Sequence, residues 1–563
     1  MSGVRPFSVR YRADEFADAT SAELDVLVIG GGATGVGVAL DAASRGLRVA
    51  LVEQGDLASG TSSKSSKLIH GGLRYLENYE LGLVHESVVE RQLLQELAPH
   101  LVRPMEFVYP LFPDTARLRL VGLGMTTYDV LAGFRNVRRH QRVSAEEAVR
   151  RAPALEHSGL LRAFVYGDCA TDDARLVLAV AQAARRFGAL VLTYVEATRL
   201  VFTAEGRVCG AEVRDRLAGD QHELRARYVV NATGVWVDRL MRQEEPDRPV
   251  SVQPSKGVHL VVPAERLPLG NSSILLPSRQ GDGRSMFAIP WGRQSILGTT
   301  DTVYDGPLDD VPVTAEDVEY ILGAANGIFR ADLDVDEVVG AWAGNRPLLR
   351  RTDRPAAAPS DMSRRHTLLE GSAGLLTITG GKLTTYRRMA KDVVDRIVAR
   401  DRRRAACRTD EIALGGTRAY DDAVADAVTA AHAVGLDEET AELAVRQHGD
   451  SAAAVLALTT QPGLEVRLSP AAAHLAADVV HAARHEGAAT LDDVLSRRTR
   501  LALRAKDAAM PTAPLAARLL AAELGRDDAW AREQVTSYAE TVRRERGVLG
   551  LTHPPATSGS GPA

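Results

Sequence analysis

The chain has few cysteines, little net charge and no long apolar run, and each shortage removes a class of protein. Its three cysteines, Cys169, Cys209 and Cys407, are odd in number and far apart. They form neither a disulfide framework nor a metal-ligand spacing, and they point to buried packing in a reducing compartment. Against 73 Asp and Glu stand 68 Lys and Arg, a net charge of −5 over 563 residues. That balance argues against a nucleic-acid binder. The N-terminus lacks the basic, apolar and small-residue succession of a signal peptide, and no apolar run is long enough to cross a bilayer. The expected location is the cytoplasm, or the inner face of the cytoplasmic membrane without a span. No internal repeat and no metal site is found.

What the chain does have begins at Leu24-Asp25-Val26-Leu27-Val28-Ile29, followed by Gly30-Gly31-Gly32-Ala33-Thr34-Gly35 and, after a second apolar run, Glu53. The apolar run predicts a buried strand. Gly30 suits a tight turn, Gly32 a close backbone approach to pyrophosphate, and Gly35 close packing of helix on strand. Residues 33–45 suit a helix whose N–H groups and positive dipole end face the phosphates, with Gly46 as its left-handed cap. Residues 47–52 follow as the second strand, and Glu53 stands where a carboxylate accepts both hydroxyls of an adenosine ribose. This is a dinucleotide cradle, and alone it leaves NAD and FAD open.

Composition and punctuation divide the chain into an N-terminal arm (1–22), an α/β region with some antiparallel sheet (23–400), a helical domain (405–548) and a Pro-, Ser- and Gly-rich disordered tail (549–563). Within the α/β region the string from Ser59 to Leu76 follows directly on the ribose-binding strand. Its small hydroxyl residues and glycines let backbone run close to a flat ligand, with Thr61, Ser62, Ser66, Lys67 and Leu68 as cofactor contacts. A solvated Ser-rich loop is the ordinary alternative, which His70, Arg74 and Tyr75 alongside make less attractive. The strand Tyr228–Asn231 ends in Ala232-Thr233-Gly234, small residues suited to lie beside the first glycine turn, and this favours FAD over NAD. A third strand end, Gly380-Gly381-Lys382-Leu383-Thr384, opens a helix whose N-terminus suits the negative charge of a reduced flavin. It is not a Walker A loop, because Leu376 and Leu383 stand where Gly and Ser or Thr are required. Two other patterns are decoys. Asp332, Asp334 and Asp336 imitate a calcium loop, but Glu337 and Ala343 replace its Gly and Glu. The arginines from 400 to 408 read as a solvated linker.

Taken together, Gly30–Gly35, Ser65–Leu76, Gly298-Thr299-Thr300-Asp301, Asn345-Arg346-Pro347-Leu348 and Gly380–Arg387 resemble the FAD-dependent sn-glycerol-3-phosphate dehydrogenases, and the long Ser-to-Leu string resembles only that family and the related glycerophosphate oxidases. Asp492–Thr499 looks like the signature of their helical C-terminal domain, except that Ser496 replaces a usual aromatic. The resemblance implies a mixed α/β (α+β) fold: a Rossmann-like FAD domain of the two-dinucleotide-binding, D-amino-acid-oxidase-like class, an antiparallel-sheet substrate domain and a helical C-terminal domain. It implies oxidation of glycerol 3-phosphate to dihydroxyacetone phosphate by hydride transfer from C2 to FAD, with a quinone as acceptor. Oxygen as acceptor, or flavin binding without turnover, are the alternatives.

For a small phosphorylated alcohol the site needs cations for a dianion and a base for the C2 hydroxyl. Arg74, Arg346 and Lys382 are the expected cations, Arg346 serving either phosphate or the reacting oxygen, and Tyr75 adds a phenolic hydrogen bond. His70 is the favoured base and His259 its rival, a hydrogen-bonded core histidine being the ordinary alternative for the latter. Thr300 and Asp301 position these groups or cap a turn. Residues 117–140 are apolar with basic ends, which suits a helix lying in an anionic membrane interface, although a core helix with a solvated basic end fits nearly as well. A homodimer is compatible with these partners.

Overall fold

The computed structural model describes residues 5–73, 80–113, 118–276, 285–351, 362–416 and 419–547, without the side chains of 118–120 and 134. Its centre is the strand Leu24–Ile29, in which Leu24, Val26, Leu27 and Val28 are fully buried. Burial on both faces is what a near-continuous apolar run requires, and it suits a central parallel strand. Val49–Glu53 pairs with it in parallel on one side and Gln221–Asn231 on the other, with Leu376–Thr379 beyond the latter. Helix Ala33–Ser44 follows the first strand; Gly46, at φ +80°, turns the chain into the second.

Among the described residues a second, larger sheet runs Thr302–Val303, Val250–Pro263, Gln294–Gly298, Met286–Trp291, Ser272–Leu276, Arg103–Leu111, Arg162–Ala170 and Leu68–Ile69, with Gly340–Arg351 paired to Val250–Pro263. The chain crosses repeatedly between the two sheets, so residues 23–400 form two interleaved layers. Val250–Pro263 pairs with Gly340–Arg351 over twelve positions, which sets His259 opposite Trp342 and Ser255 opposite Arg346.

The N-terminal arm is helical over Arg12–Thr20 and buries Phe16 and Ala19 against the first sheet. The tail at 549–563 lies outside the described residues. Residues 420–546 form helices around their own core, including Val479, Leu495, Leu520 and Tyr538, with a small two-stranded sheet, Arg467–Ser469 and Ala472–Leu475. The Asp334 side chain, one of the calcium-loop decoys, caps the short 3-10 helix Val335–Glu337. Residues 118–132 are one amphipathic helix: Met125, Tyr128 and Ala132 are buried, while Leu123 and Val130 are 65% and 73% exposed. The helix therefore has one apolar face against the core and one exposed.

Candidate active site

The nucleotide end is built by three chain segments that approach more closely than side chains allow. Gly30 has φ +113°, and a Cβ there would lie 2.6 Å from the Ala232 carbonyl oxygen. A Cβ on Gly35 would lie 1.9 Å from Gly30 O, and one on Gly32 would lie 3.0 Å from Ser62 Oγ. Ser62 Oγ in turn accepts from Ala33 N at 3.0 Å, at the start of the helix. Glu53 accepts from Gly31 N at 2.7 Å and Gly55 N at 2.9 Å. Burial pushes its pKa up and the two amide donors oppose that shift. A carboxylate has about four lone-pair sites, so two remain for the hydroxyls of a ribose.

From this cradle a cavity of about 1280 Å³ runs between the two sheets, larger than the roughly 300–1,000 Å³ of a typical small-ligand site. Gly30, Gly32, Glu53, Thr61, Ser62, Ser66, Leu68, Ala232, Thr233, Gly234, Gly381, Leu383 and Thr384 line it, with His70, His259, Asp301, Arg346 and Lys382 among its polar groups. The second strand-turn-helix unit meets the first: Gly380 and Gly381 both have φ +76°, and Met389 Sδ of the second helix lies 3.7 Å from Thr34 Oγ1 of the first. Two helix starts therefore stand side by side at the cavity. The glycine cradle, the helix N-terminus and the Glu53 carboxylate fit FAD and would hold its pyrophosphate and ribose.

Three expected contacts stand elsewhere. Gly35 is not on the cavity wall and acts through helix–strand packing. Thr300 stands behind the wall, where its Oγ1 accepts from Val258 N at 3.0 Å and its carbonyl oxygen accepts from Arg346 at 3.3 Å. Lys67 requires a correction, because its side chain faces away from the cavity. The residue adopts φ +56°, and its Nζ donates to Asp173 Oδ1 at 2.9 Å and Ser63 O at 3.2 Å, with the Trp342 ring centroid 4.7 Å away. A buried ammonium needs such a carboxylate, and Asp173 is available only on the far side of the loop. Arg74 and Tyr75 lie outside the described residues.

At the polar end His259 stacks on Trp342 with ring centroids 4.9 Å apart and an interplanar angle of 13°. Its Nε2 is 2.8 Å from Ser66 Oγ. Burial, and then the charges of Arg346 and Lys67, hold its pKa well below the ordinary histidine value. Arg346 donates to Thr299 Oγ1 at 3.2 Å and lies 3.4 Å from Asp301 Oδ1. The other Asp301 oxygen is 3.0 Å from Arg364 Nη2, so one carboxylate holds two guanidinium groups at the cavity. Arg364 carries no sequence signal, being one of an unremarkable Arg-Arg pair; only the fold brings it to Asp301.

His70 sits on the opposite side, its ring edge-on to Phe287 with centroids 6.1 Å apart and its backbone N–H donating to Thr384 Oγ1 at 3.2 Å. Burial and the nearby Lys382 charge lower its pKa to about 4, so it is neutral at pH 7. Lys382 Nζ donates to Ser87 Oγ at 2.7 Å and reaches Gly71 O at 3.5 Å. Burial brings its pKa down to about 7 against the pull of Asp168, Glu80 and Glu86. The site thus combines neutral imidazoles, suited to accept a proton, with cations suited to hold an anion.

A family model described as FAD dependent oxidoreductase matches residues 25–387, and one described as the C-terminal domain of alpha-glycerophosphate oxidase matches residues 407–531. The chain is 38% identical over 535 residues to glycerol-3-phosphate dehydrogenase 2 of Mycobacterium tuberculosis, covering 94% of this chain and 90% of that protein. It is 36% identical over 547 residues to the mitochondrial glycerol-3-phosphate dehydrogenase of Homo sapiens, covering 94% of this chain and 74% of that one. The X-ray structure of the glycerol-3-phosphate dehydrogenase from Bacillus halodurans complexed with FAD superposes with a TM-score of 0.81 at 29% identity, covering 96% of this chain and 99% of the other. The chain belongs to the FAD-dependent glycerol-3-phosphate dehydrogenase family.

Proposed function

We propose that this chain oxidises sn-glycerol 3-phosphate to dihydroxyacetone phosphate and passes the electrons to a quinone. The supporting observation is that His70 and His259, both held neutral, share one end of a cavity with Arg346, Arg364 and Lys382, while its other end is a dinucleotide cradle. FAD, when bound, supplies the acceptor for the hydride that leaves C2. The three cations hold the phosphate dianion and polarise the C2 oxygen from different sides.

The C2 hydroxyl proton needs an acceptor, and we assign it to His259, through the nitrogen that stands beside Ser66. Its ring is fixed by the Trp342 stack and by Ser66, and Nδ1 has no hydrogen-bond partner among the described residues. With Nδ1 buried away from the cavity, Nε2, beside the cavity-lining Ser66 hydroxyl, is the nitrogen that receives the substrate proton. Burial lowers this imidazole's pKa most and Arg346 next, and the Arg346 charge is offset once a dianion binds beside it, so substrate binding raises the basicity of the ring. His70, beside Lys382, is assigned a hydrogen bond to the substrate.

Leu81, Val121 and Leu123 line the cavity near the exposed face of helix Leu118–Ala132, whose far end is followed by the exposed Arg135 and Arg139. This apolar border with a basic flank suits peripheral docking on the inner face of the cytoplasmic membrane and entry of a lipid-soluble quinone. Among the described residues no helix is long and apolar enough to cross a membrane. Turnover of glycerol 3-phosphate should reduce a quinone analogue without releasing peroxide. Rapid peroxide formation with no added acceptor overturns the quinone assignment, and equal turnover of unphosphorylated glycerol overturns the substrate assignment.

A further inference from the structure

The wall that carries Ser66 is gripped from behind by the helical C-terminal domain. Asp173, at the start of helix Asp173–Arg186, accepts from Ser65 N at 3.0 Å, Ser65 Oγ at 2.7 Å and Lys67 Nζ at 2.9 Å. Ser66, between those two residues, bonds His259 on the cavity side. Trp342, the ring beneath His259, donates from Nε1 to Ser65 O at 3.2 Å. Asp173 itself is fully buried and also pairs with Arg500 of the C-terminal domain. Arg500 follows the π-helical turn Asp493–Arg498, has φ +59°, and binds Asp172 as well, with Nη2 2.8 Å from its Oδ1.

This arrangement does more than join two domains. Asp173 receives two cations, Lys67 and Arg500, and two hydrogen bonds from Ser65. Removing Arg500 leaves Lys67 as the lone cation on Asp173, so the carboxylate is free to shift toward it. A shift of Asp173 would carry to the Ser65-Ser66-Lys67 backbone that it anchors, and so to the alignment of Ser66 Oγ on His259 Nε2. Small displacements of a positioned proton acceptor are costly in rate and nearly silent in affinity.

We infer that Arg500 is a positioning residue for the proton transfer: acting through Asp173 and the Ser65–Lys67 loop, it holds Ser66 against His259 and so orients the imidazole toward the substrate. The inference rests on the assignment of His259 as base. The test uses the full-length flavoprotein as wild type, Arg500→Gln, Arg500→Lys, His259→Gln and the Arg500→Gln/His259→Gln double variant, each checked for bound flavin. Anaerobic flavin reduction by glycerol 3-phosphate gives a limiting rate and an apparent affinity for each. Arg500→Gln should lower the limiting rate about tenfold with affinity changed by less than about threefold, and Arg500→Lys should recover much of the rate. In the His259→Gln background the same change should cost less than about twofold, because both variants disable one group.

Equal losses in the two backgrounds overturn the inference while leaving His259 as base. A wild-type rate for His259→Gln overturns the base assignment and the inference with it. If Arg500→Gln fails to hold flavin, Ser65→Ala removes the 2.7 Å bond to Asp173 and leaves every charge in place. It should show a smaller rate loss that again vanishes in the His259→Gln background; an unchanged rate overturns the inference.

Discussion

Ser66 Oγ and His259 Nε2 lie 2.8 Å apart, joining the cofactor-side loop to the strand that faces the substrate end of the cavity. The bond holds the ring nitrogen that stands beside Ser66 in place. Ser66→Ala removes it. A neutral hydrogen bond of this kind contributes about 0.5–1.5 kcal/mol, so kcat should fall by a few-fold to about tenfold with little change in KM. Steady-state kinetics at fixed pH checks the split.

Lys382 makes substrate affinity depend on pH in a defined direction. Burial lowers its pKa to about 7, so the ammonium is present below that value and lost as pH rises through it. Affinity for the phosphate dianion should therefore weaken above neutral pH with a limiting slope of one proton. Lys382→Arg keeps the charge and should abolish that limb. Lys382→Ala should raise KM and lower kcat, costing on the order of 2–4 kcal/mol in transition-state binding at pH 6.5. A pH series of kcat/KM in the three proteins decides it.

Gly35 and Gly32 should respond differently to alanine. A Cβ at Gly35 would meet backbone at 1.9 Å, whereas one at Gly32 would meet the Ser62 hydroxyl at 3.0 Å. Overpacking typically costs about 1–3 kcal/mol, and at Gly35 the opposing atom is a carbonyl oxygen of the cradle itself. Gly35→Ala should lower Tm and release flavin; Gly32→Ala should keep the fold and bind flavin more weakly. The flavin-to-protein absorbance ratio and a thermal melt separate the two.

Val130 is exposed and off the cavity wall. Val130→Asp should weaken binding to anionic vesicles by at least about 1.5 kcal/mol, the value of burying one such side chain. Flavin reduction by substrate should remain at the wild-type rate. Vesicle sedimentation alongside anaerobic kinetics tests both halves.

The parts of this molecule that the sequence reveals are those in which chemistry and geometry are local. Strand, glycines, helix and Glu53 follow one another within about thirty residues, and the spacing itself requires the cradle. The turn at Gly380–Gly381 is legible for the same reason. Arg364 is not, because its meaning comes from Asp301, which is distant in sequence and reached only through the second sheet. Lys67 misleads because a single left-handed residue inside a cofactor-binding string reverses its side chain toward Asp173. The exposure of Leu123 and Val130 likewise depends on which face of an apolar helix the core covers. Periodicity alone does not choose between the two faces.

The most direct test of the account is anaerobic addition of glycerol 3-phosphate to the purified flavoprotein while the oxidised-flavin absorbance is followed. The absorbance should bleach with glycerol 3-phosphate and not with glycerol, and return when a quinone analogue is added. An unchanged spectrum with glycerol 3-phosphate, in a protein whose flavin dithionite still reduces, would contradict it.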